Sequence, residues 1–281
     1  MKILVTGNCQ ARPLGSLLSK STSHEVLEPI ILHLSNAAEQ DAHMERIAQA
    51  DFILAQATAP VFQPAHLRSD VLQEQFAGRV VVWPNVFFVG QHPYLRYLTH
   101  AQAGRVLGPM EATHDIRVVN AWFRSRQGLS FNESMTEPGY EQRVYDTSLR
   151  DLRGRESKCD VAISDLIEAH FEDRQLFFTF NHPSLFLLTR LAERVLDRVG
   201  KAQTIDVGDM KEPLGQFRPP WRFSDGTALR GRAIDLSTAG EVKLGPPRRY
   251  SQREFEETSF ACYDHLAAQM DPSALRMTPR Y

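Results

Sequence analysis

Short apolar runs that alternate with amphipathic segments constrain the fold of this chain more than any other feature of its sequence. Residues 2–6, 51–55 and 79–83 read KILVT, DFILA and RVVVW, which are apolar stretches of strand length. Residues 10–20 and 41–49, between the first two of these runs, carry apolar residues at helical spacing. Alternating strands and helices indicate βαβ units, and strands without a polar face belong in a parallel sheet covered on both sides. We therefore expect a three-layer α/β fold with a mainly parallel sheet.

The middle of the chain continues this alternation around a less regular stretch. Further strands are expected at residues 26–34 and 175–180, and further helices at residues 161–171 and 184–199. Residues 110–160 have mixed polarity with Gly and Pro interruptions, which is typical of a partly helical insertion or cap.

The C-terminal part differs in composition from the rest. Residues 201–281 contain the Pro- and Arg-rich runs LGQFRPPWRF and LGPPRRY, which we expect to run as surface loops. A last helix is predicted over residues 251–270, because Ser251 and Glu254 have the spacing of a capping box. No internal repeat is visible, so residues 1–281 are predicted to form a single α/β domain with this C-terminal extension packed on its core.

Composition and charge exclude several classes of protein. The formal net charge of −2 and the pI near 6.6 do not indicate a nucleic-acid-binding face. No stretch reaches the roughly 20 apolar residues of a membrane span, and the N-terminus is typical of a strand rather than a signal peptide. Cys9, Cys159 and Cys262 are far apart and odd in number, which argues against disulfides and favours the reducing cytoplasm.

Three polar motifs lie at or just after the ends of predicted strands. They are GNCQ at residues 7–10, PNVFFVGQHP at residues 84–93 and FNHPS at residues 180–184, and Gln56 follows a further strand. In open parallel sheets, ligands bind at the carboxyl ends of the strands. We therefore expect segments that are far apart in sequence to meet at one edge of the sheet.

The first motif places a cysteine at the start of a helix. Gly7 forms the turn, and the unpaired N–H groups and dipole of the following helix favour an anion at Cys9. We expect a lowered pKa and a nucleophilic thiolate there, with the amides of Asn8 and Gln10 as donors to an oxyanion. The alternative is a buried, inert thiol, against which the polar neighbours of Cys9 argue.

The third motif supplies a candidate base. A histidine near a thiol can take its proton and return it to a leaving group, which is the chemistry expected of His182 with Cys9. The alternative is that Asn181 or His182 only caps a helix that begins at Pro183 or Ser184. The motif by itself leaves both interpretations open.

The second motif and Gln56 offer further polar groups for the same site. Asn85 directly follows a strand, where its amide can complete an oxyanion hole. Gln56 reaches the same edge if the sheet is parallel, and His92 lies further along the motif. The alternatives are a turn residue for Asn85, a loop histidine for His92 and a solvated loop side chain for Gln56.

A zinc site is a competing use of Cys9, His92 and His182. One thiolate and two imidazoles can bind zinc and leave one position open. No two of these residues share a local ligand spacing such as HExxH or CxxC, so no metal is expected. The sequence also lacks a P-loop, a GxGxxG fingerprint and a GxSxG elbow.

The three motifs resemble those of the WcbI-type polysaccharide-biosynthesis acetyltransferase family. The resemblance rests on Gly7-Asn8-Cys9-Gln10, on Pro84-Asn85 with Gly90 and His92-Pro93, and on Asn181-His182-Pro183. It implies an α/β fold that binds coenzyme A or acetyl-CoA. It also implies that the protein O-acetylates a sugar of a capsular or other surface polysaccharide.

The resemblance further implies roles for individual residues. Cys9 and His182 would be the reactive pair. The residues expected to bind the substrate or an oxyanion are Gly7, Asn8, Gln10, Gln56, Asn85, His92 and Asn181. The phosphates of coenzyme A need cations, and the candidate is Arg12, followed by Arg218, Arg222, Arg248 and Arg249. For any one of these arginines, the alternative is a solvated surface charge.

Three functions remain open at this point. The first is acetyl transfer from acetyl-CoA to a sugar or polysaccharide precursor. The second is a thiol hydrolase with an SGNH-like layout, in which Cys9 stands in the place of a serine nucleophile and water replaces the sugar. An SGNH-like or flavodoxin-like strand order is compatible with the predicted fold for each of these functions. The third is a non-catalytic protein that binds coenzyme A or a sugar, although a thiol, an imidazole and several amides at strand ends argue against it.

Overall fold

The computed structural model describes residues 1–219, 229–237 and 241–279, so the run LGQFRPPWRF lies partly outside the described residues and Arg222 wholly so. The chain divides into two compact units. The first comprises residues 1–87, 149–176 and 182–214, and the second comprises residues 88–148, 177–181 and 215–281.

The elements of both units follow one another along the chain in an interleaved order. The strands are β1 (Lys2–Gly7), β2 (Glu25–Val26), β3 (Ile30–Ile31), β4 (Phe52–Gln56), β5 (Val80–Trp83), β6 (Leu95–His100), β7 (Gly104–Arg105), β8 (Thr113–Asp115), β9 (Phe177–Thr179), β10 (His182–Pro183), β11 (Leu229–Asp235), β12 (Lys243–Tyr250) and β13 (Leu275–Thr278). The helices are α1 (Ala11–Ser21), α2 (Gln40–Gln49), α3 (Ser69–Gln75), α4 (Ile116–Gln127), α5 (Tyr140–Glu156), α6 (Ser164–His170), α7 (Leu185–Arg198) and α8 (Gln252–Ala267).

A parallel sheet organises the first unit. Its strand order is β2-β1-β4-β5, and β3 pairs with β1 further along the edge that β2 occupies. Leu4, Val5, Ile53 and Leu54 are at most 1% exposed, as strands covered on both faces require. If β2 and β3 count as one interrupted strand, the order is flavodoxin-like, and ligands bind such sheets where the order reverses, between β1 and β4. The predicted α/β class with a parallel sheet is confirmed.

The second strand of this sheet is interrupted, and the prediction of one continuous strand over residues 26–34 is wrong. β2 ends at Val26 and β3 begins at Ile30, directly after Pro29. A proline has no N–H to donate to the neighbouring strand, so pairing stops and resumes beyond it. After Ile31 the chain enters a short 3-10 turn.

Side chains that accept hydrogen bonds from the first backbone N–H groups determine where α6 and α7 begin. The hydroxyl of Ser184 accepts a hydrogen bond from the N–H of Leu187 at 3.5 Å, so α7 begins at Leu185. The carboxylate of Glu156 accepts from the N–H of Ser164 at 2.9 Å, so α6 begins later than the helix predicted over residues 161–171. α1 packs against β1 and against α7.

The second unit is built on antiparallel pairs. β6 pairs with β13, β7 and β8, and α4 packs against α8. The region 110–160 is partly helical as expected, because it contains α4 and α5. The capping box predicted at Ser251 and Glu254 is present at the start of α8.

The run LGPPRRY is a strand, so the prediction of a surface loop is wrong. It lies in β12, which pairs with β11 in an antiparallel hairpin. Two adjacent prolines, Pro246 and Pro247, hid this strand, because proline is rare inside sheets. They are tolerated because Pro247 faces Arg232 in a non-hydrogen-bonded pair, and Pro246 lies at the register shift between Arg232 and Ile234, where the register gives it no partner in β11.

Candidate active site

The turn after β1 is tight because a tryptophan lies against it. A Cβ atom added to Gly7 would lie 2.7 Å from the Trp83 ring, closer than side-chain atoms approach. Trp83 is itself fixed, since its indole N–H donates to the carbonyl of Leu54 at 3.1 Å. The position therefore requires glycine, which lets the chain pass over the ring and enter α1.

Four amide side chains connect the carboxyl ends of β1, β4 and β5. The backbone N–H of Asn8 donates to Gln56 Oε1 at 2.9 Å, and Gln56 Nε2 donates to Gln10 Oε1 at 3.1 Å. Asn8 Nδ2 donates to Asn85 Oδ1 at 3.2 Å. We call Asn8, Gln10, Gln56 and Asn85 the amide network. It lies where the sheet order reverses, and it brings together four of the predicted site residues.

Gln10 joins the turn after β1 to the backbone of the segment that follows β5. Its Nε2 donates to the carbonyl of Val86 at 2.7 Å, and the N–H of Val86 donates back to Gln10 Oε1 at 3.2 Å. This paired geometry resembles one rung of a β-ladder. Gln10 is fully buried and Gln56 is 3% exposed, so both act within the network and Gln56 is not a solvated loop side chain.

Asn85 is the member of the amide network whose side-chain N–H₂ group is an unused hydrogen-bond donor within the described residues. Its Oδ1 accepts from Asn8, and its side chain is half-buried. Among the described residues, no hydrogen bond takes the Asn85 Nδ2 group. A fixed amide N–H₂ at the edge of a strand is the type of donor that an oxyanion hole uses.

Cys9 lies half-buried in the turn between β1 and α1. Burial raises the pKa of its thiol, and a hydrogen bond from its own backbone N–H lowers that pKa by less. The predicted lowering of the Cys9 pKa is therefore wrong. The loss of hydration on burial destabilises the thiolate more than the start of α1 stabilises it. At neutral pH Cys9 is a protonated thiol.

His182 lies in β10, two residues before the Ser184 cap of α7. The interpretation that Asn181 or His182 caps this helix is wrong, as is the placement of Pro183 as its first residue, because α7 begins at Leu185. Burial lowers the pKa of His182 to about 4, so its imidazole is neutral at neutral pH. Cys9 and His182 both belong to the first unit.

His92 and Asn181 belong to the second unit. His92 is 1% exposed, its Nε2 lies 2.9 Å from the carbonyl of Phe177, and burial lowers its pKa to about 4. It is therefore not a solvated loop histidine. Asn181 Nδ2 donates to the hydroxyl of Tyr97 at 2.7 Å, and Asn181 Oδ1 accepts from Thr179 at 2.9 Å. No sequence motif indicated Tyr97, which only this contact places beside Asn181.

The candidate cations for phosphate differ in their surroundings. Arg12 is exposed on α1 beside a groove of about 310 Å³ that Glu28 also lines. Arg248 forms an ion pair with Glu254 at 3.1 Å, so its charge is already compensated. Arg218 and Arg249 lie on or beside the β11–β12 hairpin.

Among the described residues, no three His, Cys, Asp or Glu side chains lie together as a metal site would require. In the same part of the chain, each helix is too short or too polar to cross a membrane.

Fold and site together define a class of protein. A parallel sheet of flavodoxin-like order carries a cysteine-bearing turn and the amide network at the carboxyl ends of its strands. The family model of the polysaccharide biosynthesis enzyme WcbI matches residues 2–204. The match covers well over half of the chain, and the protein belongs to this family.

One solved structure supports the fold assignment over nearly the whole chain. It is described as WcbI, a novel polysaccharide biosynthesis enzyme, in its native form without a disulfide bond between CoA and one of its cysteines. The TM-score is 0.70 at 16% sequence identity, and the match covers 97% of this chain and 92% of that one. At this identity the likeness concerns the fold. No curated protein matches the chain.

Proposed function

We propose that this protein is an acyltransferase that binds coenzyme A and transfers the acetyl group of acetyl-CoA to a hydroxyl of a sugar or polysaccharide precursor. The observation that carries the proposal is the half-buried Cys9 beside an amide network whose spare donor is Asn85 Nδ2. Membership of a polysaccharide biosynthesis family supports the sugar acceptor, and a cytoplasmic location follows from the use of acetyl-CoA. Capsular or other surface polysaccharide is the proposed destination of the product.

The structural neighbour supports coenzyme A as the donor. Its description refers to a disulfide bond between CoA and a cysteine, and such a bond requires the two sulfur atoms to touch. If Cys9 is the counterpart of that cysteine, the sulfur that carries the acetyl group lies next to Cys9 and within reach of the amide network.

Direct transfer fits the protonation states better than a covalent acetyl-cysteine. The neutral imidazole of His182 takes the proton of the sugar hydroxyl, and the hydroxyl oxygen attacks the thioester carbon. The resulting oxyanion accepts a hydrogen bond from Asn85 Nδ2. The intermediate then collapses, the carbon–sulfur bond breaks, and the coenzyme A thiolate leaves and takes the proton from His182. Cys9, protonated because burial raises its pKa, borders the reaction without forming a bond.

The test is acceptor-dependent release of free coenzyme A from acetyl-CoA, with free monosaccharides and nucleotide-activated hexoses as acceptors. We expect Asn85→Ala to lower kcat by about 100-fold, since it removes a donor to the oxyanion. Cys9→Ala should keep substantial turnover if transfer is direct. The matched control is Cys159→Ala, because Cys159 is also half-buried in the first unit but hydrogen-bonds to Arg155 on α5.

The same assay separates the remaining alternatives. Release of acetate without any acceptor would identify a thiol-site hydrolase instead. Binding of coenzyme A without turnover on any acceptor would identify a binding protein. An acetyl group trapped on Cys9, together with loss of turnover in Cys9→Ala and Cys9→Ser, would establish the covalent route.

A further inference from the structure

A groove of about 360 Å³ lies between α4 and α8, within the second unit. The two helices contact each other where the Trp122 indole N–H donates to Asp264 Oδ1 at 2.8 Å and Arg126 forms an ion pair with the same carboxylate at 3.1 Å. The groove lies on the N-terminal side of this contact in both helices. Its volume is near the lower end of the range of roughly 300–1,000 Å³ that small-molecule sites cover, so it suits a small ligand.

The α4 side of the groove carries an arginine that a buried carboxylate holds in place. The side chain of Asp115 is 1% exposed, and it accepts hydrogen bonds from Arg117 Nε at 2.9 Å and from Arg117 Nη2. The same guanidinium lies over the Tyr94 ring at 4.4 Å. Among the described residues, no hydrogen bond uses Arg117 Nη1. This side therefore offers a ligand one fixed N–H₂ donor.

The α8 side of the groove carries hydrogen-bond acceptors. Gln252 and Glu256 are one helical turn apart, and Gln252 Nε2 donates to Glu256 Oε1 at 2.6 Å. Within the part of the chain that the structure describes, Gln252 Oε1 and Glu256 Oε2 accept no side-chain hydrogen bond, and no cation pairs with Glu256. Both side chains are exposed. This side therefore offers two acceptors, one of which carries a negative charge.

Apolar side chains of both helices also line the groove. Val118 on α4 is 5% exposed, and Phe260 on α8 is half-buried. An aromatic ring presents a large, rigid apolar surface to whatever packs on it. The groove thus combines an apolar surface with a donor on one helix and acceptors on the other.

This combination discriminates between classes of ligand. The charges of Asp115 and Arg117 compensate each other, so the charge of Glu256 remains and repels an anion such as phosphate. An ammonium group only donates and cannot bond to Arg117 Nη1. A hydroxyl both donates and accepts, so neighbouring hydroxyls of one ligand can use both sides of the groove. A neutral sugar ring has such hydroxyls around its rim and apolar C–H groups on its faces.

We propose that this groove binds a neutral pyranose unit of the glycan on which the enzyme acts. In the proposed complex, the C–H groups of the sugar pack on Phe260, Arg117 Nη1 donates to one hydroxyl, and Glu256 Oε2 accepts from another. The groove would thereby hold the acceptor by a unit other than the one that is acetylated. The link to the glycan substrate rests on the proposed function, whereas the affinity for a pyranose does not.

The experiment is a saturation-transfer NMR titration of the full-length protein with the methyl glycosides of glucose, galactose and mannose. The variants are Glu256→Ala and Phe260→Ala. The matched control is Glu257→Ala, because Glu257 accepts from Arg253 Nε at 2.7 Å and so forms the same kind of pair on α8 outside the groove. We expect millimolar binding of at least one glycoside to the wild type, weakened roughly tenfold in each variant. The control should stay within about twofold of the wild type.

Two further readings keep the test decisive. Glu256 is exposed, so Glu256→Ala should melt at the temperature of the wild type, and its loss of binding then reflects the groove rather than the fold. Inorganic phosphate in about tenfold excess should not displace the glycoside. Displacement by phosphate, wild-type protein that binds none of the three glycosides, or unchanged binding in both variants would overturn the proposal.

Failure of this proposal is distinguishable from failure of the proposed function. Wild-type protein that releases coenzyme A in the presence of an acceptor but binds no glycoside in the groove would remove the pyranose site and leave the acyltransferase. Wild-type protein that binds a glycoside through Glu256 and Phe260 but neither binds nor consumes acetyl-CoA would do the reverse. Where both hold, Glu256→Ala should raise KM for a glycan acceptor and leave kcat unchanged, because the groove binds the acceptor without touching the reacting atoms.

Discussion

At the scale of single residues, burial decides the state of the cysteine. The start of α1 favours an anion at Cys9 by up to about 2 kcal/mol, and only in favourable geometry. Loss of hydration outweighs this, so the thiol stays protonated at neutral pH. The position of Cys9 could be predicted from the motif, but its pKa could not, because the pKa depends on how much of the surrounding chain covers the thiol.

Alkylation tests the protonation state of Cys9 directly. We expect slow labelling by iodoacetamide at neutral pH and a rising rate as the solution becomes alkaline, since the thiolate is the reactive form. Burial raises the pKa of Cys159 and Cys262 to about 12, so Cys9 should still be labelled first. Mass spectrometry of digested protein measures all three sites. Rapid labelling of Cys9 in mildly acidic solution would show a low pKa and contradict this account.

The glycine of the first motif offers a second test at this scale. Gly7→Ala should lower the free energy of unfolding by about 1–3 kcal/mol, because the new Cβ atom meets the Trp83 ring. Urea denaturation measures the change. The matched control is Gly154→Ala within α5, where a Cβ atom meets nothing within 4 Å and the helix should gain about 0.5–1 kcal/mol. Equal stability of Gly7→Ala and the wild type would mean that the turn tolerates a side chain.

At the scale of elements, the sequence predicts β1, α1, β4, β5 and α7 well, because long apolar patterns with clear periods decide them. It also predicts that polar side chains from distant segments meet at the carboxyl ends of the parallel strands, and the amide network confirms this meeting for the first unit. Local sequence patterns fail to predict a strand where its pairing partners determine whether it forms. Pro29 interrupts the strand predicted over residues 26–34, and Pro246 and Pro247 concealed β12. The pairing of Arg230 with Arg249 across the β11–β12 hairpin depends on strand register, which a single sequence does not show.

The amide network supplies the test at this scale. Gln56→Leu keeps the volume of the side chain but leaves the Asn8 N–H without its acceptor and removes one of the two donors to Gln10 Oε1. We expect a loss of about 1–3 kcal/mol in the free energy of unfolding. Denaturation in urea measures it, with Gln75→Leu on the exposed end of α3 as the control expected to stay within about 0.5 kcal/mol of the wild type. A loss no larger than that of the control would show that the network is not cooperative.

At the scale of the whole molecule, buried histidines make stability depend on pH. Burial lowers the pKa of His92, His114 and His182 to about 4, whereas histidine in an unfolded chain titrates near about 6.5. The unfolded state therefore binds more protons between these values, and stability falls as the pH falls from about 6.5 to about 4.

Each of these histidines contributes up to about 1.4 kcal/mol per pH unit within that range. Urea titrations at several pH values should show the free energy of unfolding declining in acid, and His114→Gln should flatten the decline. Gln75→Leu, at an exposed position without a titratable group, is the control that should leave the slope unchanged. A wild-type stability that does not change across the range would contradict the neutral, buried state of these rings.

We propose that the protein binds coenzyme A and its acetyl thioester at the site around Cys9. Isothermal titration with coenzyme A and with acetyl-CoA, on the wild type and on Cys9→Ala, tests it most directly. We predict micromolar binding of both ligands to the wild type, on the order of −8 kcal/mol, with a changed affinity in the variant. Absence of heat with either ligand, in conditions where the protein is folded, would contradict the account.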